Sequence, residues 1–168
     1  MSLRRGIAQY VQRSFEVGYR PEDEILVTVG VSQGLDLAIR ALVSPGDEVL
    51  YHEPCYVSYN PVVRFTHGVP VAVATSREND FRLTRAMLER KVTPRTRVLM
   101  LNFPTNPTGA TLDPAGAREI AEFACAHDLV VITDEIYSEL TYEGERLSIA
   151  ALPGMKARTV LLHGFSKG

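Results

Sequence analysis

The sequence predicts an α/β fold of three layers (αβα), with a mostly parallel sheet between two layers of helices. Two observations carry that expectation. Strand-length apolar runs alternate with segments of helical spacing along the chain. Several of those runs are uniformly apolar, as in Val98-Leu-Met-Leu101, Leu129-Val-Val-Ile132 and Val160-Leu-Leu162. A strand with water on one face alternates apolar and polar side chains. A run without alternation is covered on both faces, as in a parallel sheet between helix layers.

The elements follow in order. Leu3, Ile7, Tyr10, Val11 and Phe15 recur at helical spacing, which predicts a helix over 3–16. Residues 24–29 read as a short strand running into Gly30-Val-Ser-Gln-Gly34 and a helix, with Ser32 as the expected N-cap and Leu35, Ala38, Ile39 and Leu42 as one apolar stripe. Pro45-Gly46-Asp47 is a turn, and 48–52 the second strand. A helix is expected over 56–64, bent or broken at Pro61. The third strand is 69–74, followed by a short helix over 84–91 and a fourth strand over 97–102. Asp113 caps a helix that has Pro114 at its first position and Ala117, Ile120, Ala121 and Ala124 on its buried face. Strands over 129–133 and 158–163 complete six. The sequence has no internal repeat and no low-complexity segment.

Composition narrows the function classes. The chain has 168 residues, 45% hydrophobic and 23% charged, enough for one domain with a core. With a formal net charge of −2 and no basic run, nucleic acid is not an expected partner. Charge or proline interrupts every apolar run, so no membrane span is expected. Cys55 and Cys125 lack metal-site spacing; they read as two reduced thiols in a cytoplasmic protein, and no metal site is expected.

In open parallel sheets, ligands bind beyond the carboxyl ends of the strands. That rule gathers Gly30–Gln33, His52–Tyr56, Asn102–Asn106, Asp134–Tyr137 and Ser166–Lys167 on one rim. Lys167 fits a surface loop, but also an amine that forms an imine with a carbonyl, a use favoured by desolvation or nearby positive charge. Asp134 either caps the next turn or keeps a heterocyclic nitrogen protonated, which makes that ring an electron sink. Tyr137 lies one turn further on, with its hydroxyl placed for a ring oxygen, or packs half-buried. Asn106-Pro-Thr-Gly109 is a turn, and the paired form Asn-x-Pro-x-Asn-Pro-Thr-Gly is the less ordinary feature. The helix start at Val31, Ser32 and Gln33 suits an anion such as phosphate, although the Gly-Lys-Ser/Thr of a P-loop is absent. Tyr56 either stacks on a flat ring or packs in the core.

Together these segments strongly resemble the fold-type I pyridoxal-phosphate enzymes, in particular the class I/II aminotransferases. The residues that carry the resemblance are Val27-Thr-Val-Gly-Val-Ser-Gln33, Pro45-Gly-Asp-Glu-Val49, Asn106-Pro-Thr-Gly109, Asp134-Glu-Ile-Tyr137 and Ser166-Lys167. The resemblance implies that 1–168 is the large, cofactor-binding domain of a longer homodimeric protein, with the N-terminal arm and C-terminal small domain outside this sequence. It implies pyridoxal 5′-phosphate as cofactor, and an amino acid and a 2-oxo acid as substrates. By the same resemblance Lys167 is the Schiff-base lysine and proton shuttle, and Asp134 the partner of the pyridine nitrogen. Tyr137 and Asn106 meet the 3′ oxygen, Tyr56 stacks on the ring, and Val31, Ser32 and Gln33 cradle the phosphate with Ser166 close by.

The sequence departs from the pattern at Gly164, where many members carry a hydroxyl residue. The family's phosphate-binding and substrate-carboxylate arginines fall outside this stretch, so 1–168 alone is expected to turn over little. In the family, a strand following the lysine lies between the last strand here and 24–29. Without it, two sheet edges are expected to be open and this stretch to be weakly stable alone. Rival expectations are a C–S lyase or other Cα-acting enzyme of the same fold, a non-catalytic aminotransferase-like regulatory module, and a nucleotide-binding α/β domain, the last disfavoured by the missing phosphate-loop motifs.

Overall fold

Alternate residues of each central strand point into different cores, and that alternation makes the layers. The structure is a computed structural model that describes residues 1–142 and 146–167. Its strands are β1 (Glu48–Glu53), β2 (Val69–Ala74), β3 (Thr96–Asn102), β4 (Val130–Asp134) and β5 (Thr159–Leu162). They form one sheet in the order β2-β1-β3-β4-β5, with every pairing parallel. The α-helices are α1 (Ser2–Phe15), α2 (Gly30–Leu42), α3 (Tyr59–Phe65), α4 (Arg85–Glu89) and α5 (Pro114–Ala126).

On one face Leu50, Leu99, Leu101 and Val131 pack with Leu88 of α4 and with Ile120, Phe123 and Ala124 of α5. On the other, Val49, Tyr51, Val98, Met100 and Ile132 pack with Leu35 and Ile39 of α2 and with Tyr59, Val62 and Val63 of α3. The run 98–101 therefore feeds both cores in turn, which is why it contains no polar residue. Phe123 is fully buried. Phe123→Ala in the whole protein is expected to lower stability by about 3–5 kcal/mol, read as an earlier denaturation midpoint.

Several boundaries match the sequence reading, and three differ. Asp113 caps α5 by accepting from the Gly116 N–H at 2.8 Å, with Pro114 in the first turn. The expected strand over 24–29 does not form. Those residues run without a ladder partner, and Leu26, Val27 and Val29 are 68%, 47% and 86% exposed. A strand needs a neighbour, and β5 is the edge of the sheet among the described residues. Ser32 is not the cap of α2: Gly30, with φ +74°, turns the chain directly into the helix and leaves Ser32 inside its first turn. Pro61 neither bends nor breaks α3, because the helix begins at Tyr59 and places the proline where its missing N–H is not needed.

Candidate active site

Parallel pairing sets the strand ends on one edge. Asn102 pairs with Asp134, and Asp134 with Leu162, so the last residues of β3, β4 and β5 form one row. The loops beyond them carry Asn106, Tyr137 and Lys167. The start of α2 reaches the same edge through glycine: a Cβ on Gly34 would sit 3.2 Å from Leu162 Cδ2. A Cβ on Gly164 would sit 3.0 Å from Ile136 Cδ1 and 3.6 Å from Val31 Cγ2. The small residue at 164 thus lets three segments converge, and the room for a side chain there is taken by Ile136.

Asp134 is the centre of the row. Its carboxylate is buried; Oδ2 accepts from the Tyr59 hydroxyl at 2.8 Å and Oδ1 from the Ile136 N–H at 3.2 Å. Burial raises its pKa above the ordinary aspartate value, opposed by the Tyr59 bond, the Ile136 N–H and the neighbouring His163. The fully buried Asn102 side chain donates to the Asp134 backbone carbonyl at 2.8 Å and accepts from the Asn106 N–H at 3.0 Å.

That brace brings two predicted site residues into contact. The Asn106 amide donates to the Tyr137 hydroxyl at 3.2 Å, which leaves the phenol proton available to another acceptor. Tyr56 is half-buried, its ring edge-on to Tyr59 with centroids 5.8 Å apart. At the start of α2, Ser32 and Gln33 are exposed, and the Gln33 side chain accepts from the Val29 N–H at 2.6 Å. The N-cap residue Val29 offers no side-chain acceptor to the first-turn amides of α2, of which the Gly30 N–H bonds the Thr28 carbonyl at 3.0 Å. Ser166 and Lys167 are exposed on the loop beyond β5, which is tied back by His163 Nδ1, 3.0 Å from the Glu135 carbonyl oxygen. A buried carboxylate, a phenol–amide pair, an open helix start and an amine can together hold a flat, anionic, carbonyl-bearing ring compound.

The whole sequence, residues 1–168, matches the family Aminotransferase class I and II. This chain belongs to that family. The Bacillus subtilis protein YugH is 50% identical over 166 residues, which is 99% of this chain and 43% of YugH. Aromatic-amino-acid aminotransferase 2 of Thermococcus litoralis is 41% identical over 168 residues, 99% of this chain and 43% of that protein. Among solved structures, an aromatic aminotransferase from Pyrococcus horikoshii superposes with a TM-score of 0.96 at 42% identity, covering 98% of this chain and 44% of that one. The chain thus spans less than half the length of the relatives it matches. The fold is that of the aminotransferase domains in these neighbours.

Two residues that organise this candidate site have no role assigned by the sequence, although Asn102 falls within the segment placed on the rim. Tyr59 is one of many apolar-compatible positions in α3, and nothing in its spacing marks it. Asn102 carries a fainter signal, as the first polar residue after a buried strand. A third, Glu135, sits beside Asp134 and is almost wholly buried. Its Oε1 accepts from Thr133 Oγ1 at 3.0 Å and Ser148 Oγ at 2.8 Å, whereas Oε2 has no partner among the described residues. Burial pushes the Glu135 carboxyl from its ordinary 4.5 up to about 8. A raised folded pKa means that the folded state holds the proton longer than the unfolded chain. Stability is then full at acid pH and falls as pH rises toward about 8. The expected slope is roughly 1 kcal/mol per pH unit. Glu135→Gln should flatten it, as measured by unfolding free energy against pH.

His52 behaves differently. It stacks on Phe103 at 4.7 Å and accepts from the Asn102 N–H at 3.2 Å. Burial lowers its pKa to about 4, so it stays neutral and serves as packing under the rim.

Proposed function

We propose that the protein carrying this chain is a pyridoxal-phosphate-dependent aminotransferase that moves an amino group between an amino acid and a 2-oxo acid. Residues 1–168 are its large, cofactor-binding domain. The observation that carries this reading is the buried Asp134 carboxylate at the end of β4, held beside the Asn106–Tyr137 pair. The donor set fits pyridoxal 5′-phosphate group by group. Bound there, the cofactor supplies a carbonyl carbon and a ring that draws electrons from the substrate Cα.

Asp134 would hold a bound ring nitrogen protonated by offering a fixed anionic acceptor. The Tyr137 hydroxyl, already accepting from Asn106, has its proton to give to the ring's 3′ oxygen. Tyr56 would offer its aromatic face to a bound ring. The first-turn amides at Val31, Ser32 and Gln33, with the Ser32 and Ser166 hydroxyls, would hold the phosphate at the positive end of the α2 dipole. Lys167 would be the amine that holds the cofactor through its carbonyl carbon, and, when free, the base that moves a proton at the substrate Cα. The family setting makes a cytoplasmic homodimer the expected assembly. It gives no reason to expect a nucleic-acid or membrane partner; among the described residues no helix is long and apolar enough to cross a membrane.

The test uses the whole protein. Incubation with pyridoxal 5′-phosphate, borohydride reduction and peptide mapping should place a pyridoxyl adduct on Lys167. An adduct on another lysine, or none, overturns the reading. Amino transfer to a 2-oxo acid, tried first with aspartate and aromatic donors because relatives carry those names, separates transfer from C–S lysis.

A further inference from the structure

We propose that Tyr59 is a positioning residue for Asp134: its phenol O–H, held by the packing of α3, fixes one carboxylate oxygen so that Asp134 presents an oriented acceptor to a ring N–H. The proposal rests on the reading of Asp134 as the partner of the cofactor's ring nitrogen. It goes beyond that reading by assigning a role to a side chain that is fully buried in the core and acts through Asp134.

Tyr59 is fully buried in the first turn of α3 and packs in the core formed with α2, β1 and β3. Its hydroxyl reaches Asp134 Oδ2 at 2.8 Å, across 75 positions of sequence. Burial and the Asp134 charge raise the phenol's pKa, so its proton stays on oxygen and is donated. A carboxylate has about four acceptor sites. Tyr59 and the Ile136 N–H occupy two, one on each oxygen, so each oxygen keeps a site for a further donor. The phenol also opposes the tendency of a buried carboxyl to take up a proton. An Asp134 that had done so would offer its own O–H and lose the charge that favours a protonated ring nitrogen. The ring of Tyr59 meanwhile supports Tyr56 edge-on, so one side chain steadies both the acid and the aromatic cover.

The titratable groups facing Asp134 are Tyr59 from α3, His163 from beyond β5 and Glu135 from its own loop, with Cys55 and Tyr137 facing Tyr59. Of these, Tyr59 alone is hydrogen-bonded to the Asp134 carboxylate through its side chain.

The experiment measures the affinity of the cofactor-free whole protein for pyridoxal 5′-phosphate as a function of pH. It compares wild type, Tyr59→Phe and a protein with 3-fluorotyrosine incorporated at position 59. Binding weakens on the acid side as Asp134 takes up a proton. Tyr59→Phe is expected to move that acid limb up by about one pH unit, weakening binding about tenfold there and much less at alkaline pH. Fluorotyrosine, a stronger donor of the same shape, should move the limb down. It also keeps the proposal testable if the phenylalanine variant misfolds. A uniform loss of affinity with an unmoved limb would mean packing alone and overturns the proposal. So does a limb that ignores both substitutions. If wild type captures no pyridoxal phosphate at Lys167, the functional reading falls and this proposal with it. If wild type binds and only the limb fails to move, the proposal falls alone.

Discussion

Lys167→Ala in the whole protein should reduce amino-group transfer by at least about 10³-fold while the fold persists. The magnitude follows from what one side chain is asked to do. In the proposed function it would hold the cofactor's carbonyl carbon and would move a proton at the substrate Cα, a task worth roughly 10²–10⁴ by itself. No other amine is described at the rim: the neighbouring groups are a carboxylate, an amide, hydroxyls, a phenol, the Cys55 thiol and the His163 imidazole, none of which can take a lysine's part in forming an imine. The stability change should be small, about 0.5 kcal/mol or less, because Lys167 is exposed on a loop. Single-turnover rates and a thermal scan measured together check both halves. Normal turnover in the alanine variant would sink the assignment.

Asp134→Asn should lower turnover about 10²-fold and leave the melting temperature unchanged or higher. The two effects have one cause. A carboxylate buried at a strand end is disfavoured by desolvation, which raises its pKa. The folded form therefore takes up a proton more readily than the unfolded chain, and the wild type loses stability as pH rises through that folded pKa. Asparagine keeps an oxygen for the Tyr59 hydroxyl but removes the charge. Its advantage should be absent in acid, where Asp134 is neutral, and appear toward neutral pH. Activity and melting temperature compared at two pH values test this. A variant both less stable and fully active would contradict the role given to the charge.

The sequence made the centre of the sheet plain, because a strand buried on both faces leaves its record residue by residue. Val98–Leu101 and Val131–Ile132 could scarcely be anything else, and the polar residues that end those runs, Asn102 and Asp134, fall at the ends of β3 and β4. Asp113 and Pro114 marked the start of α5 by local chemistry alone. What stayed hidden depends on contacts between distant segments. Residues 24–29 have strand composition, but composition supplies no partner. Ser32 looks like a cap until Gly30 takes a positive φ and starts the helix earlier. The pairing of Asn106 with Tyr137 was implied only through the shared cofactor role. The link from Tyr59 to Asp134 spans two elements and has no local signature. Glu135 had no role of its own in the segment Asp134-Glu-Ile-Tyr137, and only its burial shows it to be an internal acid.

The Asn102 amide has a consequence for how such a site can change over time. One side chain grips the backbone at Asp134 with its nitrogen and the backbone at Asn106 with its oxygen. Loosening either loop releases the brace on the other. Substitutions at 106 and 134 should therefore be epistatic, each penalty depending on whether the other has already been incurred. A lineage drifting through this region would be steered toward replacing both loops together or neither, and position 102 would act as the latch that makes intermediate genotypes unfit.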